Sequence, residues 1–143
     1  MESQIATFED ATLILKLYEL RQEIVLREAR HWLLFDFNPA TAEEFLDMVR
    51  PSASQESAYF RQAQTYWEMA ASLVLHGAVK ADLFLASSGE GMFILAKFDP
   101  FREAYQERMG RPFMRQTAEL VEKYPVAREI FINMLKSHQA RRG

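Results

Sequence analysis

Residues 8–37 read FEDATLILKLYELRQEIVLREARHWLLFDF, thirty residues without glycine or proline in which apolar side chains recur at three- and four-residue steps. The spacing predicts one helix roughly 40 Å long at about 1.5 Å per residue. Globular helices average about 11 to 12 residues, so an element more than twice that length predicts an organising spine able to reach beyond its own subunit. Thr7 with Asp10 three residues on resembles a capping box at its start, and Asn38-Pro39 ends it, because the residue before proline is pushed out of the α region.

At 100° per residue, Lys16, Glu19, Glu23, Arg27 and Arg30 gather in one sector that must face water. The remaining surface carries two apolar stripes. Leu13, Leu17, Leu20, Ile24 and Phe35 form one; Ile14, Leu15, Tyr18, Val25, Ala29, Trp32 and Leu33 form the other, with Arg21 and Glu28 between them. Two stripes imply two packing partners. One is the domain's own helices; the other is expected to be the same helix of a second subunit in a symmetric homodimer, with Arg21, Ile24, Glu28 and Trp32 at the interface. A central helix surrounded by its own domain, with both charges in a solvent-filled groove, is the competing reading.

Along the whole chain, punctuation marks out about six helices, this long one included. Thr41 with Glu44 is a capping box, opening a short helix that Pro51 closes. A third helix is expected over 55–76, with Gly77 as its left-handed cap. Two turns follow over 79–86, then a Ser87-Ser88-Gly89 break with Ser88 as N-cap. Residues 90–109 read as helix interrupted at Asp99-Pro100, Gly110 ends it, and Arg111-Pro112 is expected to open the next with proline in its first turn. Tyr124-Pro125 interrupts once more before a last helix over 126–139. No alternating strand pattern competes, and no repeat or linker is visible. The expected fold class is all-α, a single-domain helical bundle spanning residues 1–143.

A chain of 143 residues can bury about two thirds of its unfolded surface in one core. Cysteine is absent, which excludes disulfides, thiolate catalysis and cysteine-ligated metal sites and leaves the redox compartment open. A net charge of -3 argues against a nucleic-acid partner, since phosphate binding needs a concentrated basic surface. The basic end, Lys136, His138, Arg141 and Arg142, fits the last turns of a helix, where cations complement the macrodipole. No apolar run is long enough to span a membrane, and the acidic start (Glu2, Glu9, Asp10) does not resemble a signal peptide, so a cytoplasmic location is expected.

Several short elements recur in a recognisable order. They are Leu17-Tyr18-Glu19-Leu20, Glu28-Ala29-Arg30 with Trp32-Leu33-Leu34, Leu73-Val74-Leu75-His76-Gly77, Leu83-Phe84, and Phe98-Asp99-Pro100-Phe101 followed by Tyr105 and Arg108-Met109-Gly110. Together they resemble a family of small helical bacterial proteins known only as a domain of unknown function, number 4760, over roughly residues 12 to 124. The resemblance implies a helical fold and no established activity, so no catalytic residue is carried over. It also implies a membrane-spanning segment ahead of this region in longer members, and this sequence contains none.

Candidate chemistry is sparse. Glu28-x-x-His31 matches the carboxylate-histidine pair of di-iron helical proteins, which need a second such pair; Leu73 and Leu135 stand where the glutamates before His76 and His138 would be. A mononuclear metal site at Glu28 and His31 needs one more ligand from a neighbouring helix. His76 reads as a cation at a helix end. The Ser87–Gly91 stretch lacks P-loop spacing, and no Gly-x-Ser-x-Gly elbow occurs. Aromatic side chains between helices offer a pocket in which Arg102 or Arg108 would hold an acidic head group, although core packing accounts for them equally well. The expectation is therefore a non-enzymatic interaction or regulatory module that self-associates through its first helix, with an unidentified protein as a further partner and no cofactor. A helical small-molecule-binding or metal-dependent protein with its site near Glu28 and His31 is the alternative.

Overall fold

Three residues, Arg21, Gln22 and Glu23, divide the expected thirty-residue helix. The computed structural model describes residues 5–142; Met1 and Glu2, which entered the signal-peptide argument, lie outside the described residues, as does the side chain of Arg142. The long segment is resolved into α1 (Phe8–Leu20), α2 (Ile24–His31) and a π-helical turn (Trp32–Asp36). The amides of Gln22 and Glu23 reach back only three residues, to Glu19 O and Leu20 O, which tightens the last turn of α1. Glu23 then adopts extended backbone (φ −58°, ψ 137°), and its carboxylate accepts the Leu26 amide at 2.8 Å, capping α2. Two side chains hold the break from outside. The Tyr66 hydroxyl donates to Leu17 O, and Arg30 Nη1 donates to Arg21 O at 3.1 Å.

The break changes which apolar residues can share a core. In an unbroken helix, Leu26, Ala29 and Leu33 would point about 120° to 180° away from Leu17. All four are buried in one apolar cluster, because the non-helical residues reset the phase. The core face therefore takes Leu17 from one expected stripe and Ala29 and Leu33 from the other.

Among the described residues there are nine α-helices and no strand, so the all-α class holds and the count of about six helices does not. After the π turn come α3 (Ala42–Val49), α4 (Gln55–Leu75), α5 (Ala81–Ser87), α6 (Glu90–Lys97), a 3-10 turn (Asp99–Phe101), α7 (Arg102–Met109), α8 (Arg115–Lys123) and α9 (Pro125–Arg142). The spine is α4, about 32 Å long by its 21 residues. It packs against α2, the π turn, α3, α6 and α8, while α9 closes over α6 and α8. Gly91 permits the α4–α6 approach, since a Cβ there would sit 3.2 Å from Trp67 Cβ.

Local punctuation accounts for most element ends. Gly77 (φ +82°) completes a Schellman cap, with Ala78 N bonded to Leu73 O and Gly77 N to Val74 O. The His76 ring nitrogen Nδ1 lies 2.8 Å from Ser72 O, where a ring at a helix end can meet the last carbonyls. Asp99-Pro100 falls between two abutting helices, and Pro125 begins α9. Thr41 caps α3 through the Glu44 amide, while the Glu44 carboxylate takes the Ala40 amide in place of Thr41's own. Two expected starts are displaced. Ser88 closes α5 and is buried, leaving Gly89 ahead of α6 without a side-chain cap. Pro112 precedes α8 and is not in its first turn; Met114, at φ +50°, leads into Arg115. The free amides of α8 are met from across the fold, where Glu68 accepts Gln116 N at 2.9 Å, Thr117 N at 3.0 Å and Thr117 Oγ1 at 2.7 Å.

Asp10 joins α1 to the start of α5. Its buried carboxylate accepts the Thr7 amide at 2.7 Å and hydroxyl at 3.0 Å, and also the Lys80 amide at 3.1 Å, with Lys80 Nζ 4.0 Å away. The Thr7 amide bond, opposed by burial and aided by the Thr7 hydroxyl and by Lys80, holds its pKa below the ordinary aspartate value. A lowered folded pKa gives stability that is present above the unfolded value, near pH 4, and lost as the pH falls through the folded value. Asp10→Asn is expected to melt below the parent at about pH 7, with the gap closing under about pH 4. A melting-temperature series across that range checks this, and a gap that stays constant into acid refutes it.

Candidate functional site

The residues singled out from sequence lie around the break and on the outer side of α2. Ile24, Glu28, His31 and Trp32 line an open groove of about 540 Å³ together with Arg27, Asp36 and Tyr59. Ile24 is 67% exposed, while Trp32 is half-buried with its ring stacked on Phe37 at 5.0 Å. Glu28 and His31 do not pair with each other. The Tyr59 hydroxyl donates to Glu28 Oε2 at 3.1 Å, and desolvation, aided by that bond, pushes the Tyr59 pKa up. His31 Nδ1 lies 3.9 Å from Asp36 Oδ2, and its ring meets Phe35. Among the described residues, no group of three or more His, Asp or Glu side chains is placed to hold a metal ion.

Arg21 turns inward from the break. Its guanidinium stands 4.9 Å from the Tyr18 ring centre and 5.5 Å from that of Trp67, a cation held between two aromatic faces. Behind it lies a network that sequence spacing did not reveal. Arg30 makes a bidentate pair with Glu90, Nε to Oε2 at 2.7 Å and Nη2 to Oε1 at 2.9 Å, and Trp67 Nε1 donates to the same Oε2 at 2.7 Å. These partners are separated by 60 and 23 residues, so no local motif could have announced them. Arg102 and Arg108, the expected holders of an acidic group, are engaged with Asp99 and Glu43.

On α1 the face opposite Leu17 is apolar and uncovered. Phe8 is 84% exposed, Leu15 67% and Tyr18 53%, and with half-buried Ala11 they follow the 3-4-3 spacing of a helix-pairing seam. Lys16, Glu19, Glu9 and Thr12 flank that stripe on one side. Exposed apolar surface arranged in this way is characteristic of interaction sites. No described helix is long and apolar enough to cross a membrane.

No curated protein and no solved structure gives a significant match to the chain. The family model does. It extends the resemblance read from the motif order to include the Thr7–Asp10 capping box, and, matching residues 6–124, it shows that the chain belongs to the family described as Domain of unknown function (DUF4760).

Proposed function

We propose that the protein is a non-enzymatic interaction module that self-associates through its N-terminal segment. The observation that supports this is the apolar stripe Phe8, Ala11, Leu15 and Tyr18 on the outer face of α1. The stripe is self-complementary. Two copies related by a two-fold axis, with their α1 helices antiparallel, set Phe8 of one copy opposite Tyr18 of the other and Ala11 opposite Leu15, so large residues meet aromatic or small ones. Exposed Ile24 and Glu28 on α2 extend the contact, while Arg21 supports it from the break and half-buried Trp32 from the π turn. Charges at such a seam fix register more than they add affinity.

Light scattering at micromolar concentration is expected to give a mass of about 33 kDa, twice the 16.7 kDa chain. Leu15→Glu and Ile24→Glu, both at exposed positions, should return it to the single-chain mass with little change in unfolding midpoint. A 16.7 kDa parent would sink the proposal, as would variants that leave a dimer intact. The groove of Ile24, Trp32 and Tyr59, with Arg27 and Glu28 at its edge, supports a second reading as a small-molecule site, which a thermal-shift screen separates from the first.

A further inference from the structure

Little separates α1 and α2 from a single helix. Arg21 lies in the right-handed region at φ −78°, ψ −3°, and Glu23 leaves it through ψ alone, at φ −58°, ψ 137°. Turning that one angle by about 180° returns Glu23 to helical backbone. Arg, Gln and Glu are all strong helix formers, and neither glycine nor proline stands between Phe8 and Phe37. Side chains keep the junction open: the Glu23 carboxylate accepts the Leu26 amide at 2.8 Å, and Arg30 donates to Arg21 O at 3.1 Å. The apolar spacing, by contrast, runs straight through. Phe8, Ala11, Leu15 and Tyr18 are followed at the same steps of four and three by Gln22 and Val25, and Val25 is 47% exposed.

A continuous helix cannot leave α1 where it is. It would set Phe8 about 24 Å along the axis from Ile24 and turn Leu17 about 120° to 180° away from the face that carries Leu26, Ala29 and Leu33. Yet the inner face of α1 fits one particular seat. Leu17 is buried, Leu13 and Ile14 pack on the core, the Leu17 carbonyl accepts the Tyr66 hydroxyl, and the Asp10 carboxylate accepts the Lys80 amide at 3.1 Å. Leaving that seat would strip the partners from a buried carboxylate and uncover an apolar face on both sides of the contact. A second copy whose own α1 has left offers the same seat, group for group.

We infer that two copies of this chain exchange α1: in the dimer, residues 8–31 form one continuous helix, and α1 of each copy seats against α4 and α5 of the other. Every contact of the seat is remade across the pair. What changes is the junction, which gives up the Glu23 cap and the Arg30 bond to Arg21 O for uninterrupted helix. The fused helix also brings Val25 into line with Phe8, Ala11, Leu15 and Tyr18, so the exposed stripe gains a turn. The exchange rests on the self-association proposed above and specifies its form.

Perdeuterated, heavy-nitrogen-labelled chain with protonated amides, unfolded in guanidinium chloride and refolded together with unlabelled chain, separates exchanged from unexchanged dimers. The Lys80 amide of a labelled chain meets aliphatic protons only from an unlabelled copy, so exchange is expected to give a nuclear Overhauser peak from it to the Asp10 β protons. Glu23→Ala, at an exposed position, removes a cap that only the unexchanged chain makes. It should therefore lower the dimer dissociation constant by at least about fivefold, whereas a dimer of unexchanged chains keeps the cap on both sides of the equilibrium and loses nothing by the change. A particle of twice the chain mass that lacks the peak, or whose dissociation constant Glu23→Ala leaves unchanged, overturns the exchange and leaves self-association standing. A single-chain mass overturns both.

Discussion

Phe45→Ala is expected to lower the unfolding free energy by about 4 kcal/mol, near the upper end for removing a buried aromatic ring. Phe45 is fully buried on α3 and touches an unusual number of other rings. Phe98 is 5.0 Å away, Phe101 is stacked at 5.3 Å, and Phe113 stands edge-on at 5.4 Å, with Phe60 edge-on at 6.0 Å. Those neighbours come from α4, the end of α6, the 3-10 turn and the loop before α8, so the void cannot be closed by moving one helix. A rigid surround makes the cavity contribution large, because the cost rises with the volume left empty. Denaturant unfolding checks this as a fall in midpoint at unchanged slope. Phe35→Ala is the control, since Phe35 is exposed and its loss should cost under about 0.5 kcal/mol. A Phe45→Ala loss below about 1 kcal/mol would show that the aromatic cluster is loosely packed.

The elements that were legible in the sequence are those whose causes are local. Thr7 and Asp10, Pro51, Gly77, Gly110 and Pro125 each act within four residues of the boundary they set, and each boundary lies where that chemistry places it. The break at Arg21–Glu23 escaped because neither glycine nor proline marks it. Its cap is a glutamate, which side-chain length makes an uncommon N-cap, and the side chains that hold it come from elsewhere: Tyr66, 49 residues away, donates to Leu17 O and Arg30 donates to Arg21 O. The expected spine therefore moved to α4, whose length was read correctly to within one residue at its C-terminal end.

The candidate site shows the same division. Spacing of three residues put Glu28 and His31 on neighbouring helical positions, but spacing does not decide which partner a side chain takes. Tyr59 claims Glu28 from α4, and Asp36 lies nearest His31 because the π turn redirects the chain after Trp32. Lys97 was invisible for a related reason. At the end of an apolar helix it carries the sequence signature of an ordinary terminal cation, and only the π turn, itself unmarked in sequence, supplies the carbonyls of Leu33 and Leu34, to which its Nζ donates.

Glu90→Ala should cost about 3 kcal/mol, although Glu90 sits at the first position of α6, where substitution is ordinarily mild. The reason is what it leaves behind. The Arg30 and Glu90 side chains are each only 19% exposed, so the guanidinium loses a bidentate partner where water cannot fully replace it, and the Trp67 indole loses its acceptor. The same pairing holds the Arg30 pKa above its ordinary value, with the Glu90 hydrogen bond outweighing burial. Glu90→Gln separates the two losses, because an amide oxygen still accepts from Trp67 while the charge is gone, and about half the cost should return. Arg30→Met removes the other partner and also releases the Arg21 carbonyl, so it should raise hydrogen exchange at the α1–α2 break as well as lower the unfolding midpoint. If the pair acts as one unit, Arg30→Met with Glu90→Ala should be less destabilising than the sum of the two by about 1 kcal/mol or more. Additive losses would mean that Glu90 contributes chiefly through Trp67, and if Arg30→Met also leaves exchange at the break unchanged, the junction of α1 and α2 is held by Tyr66, so that Tyr66→Phe becomes the substitution that loosens it.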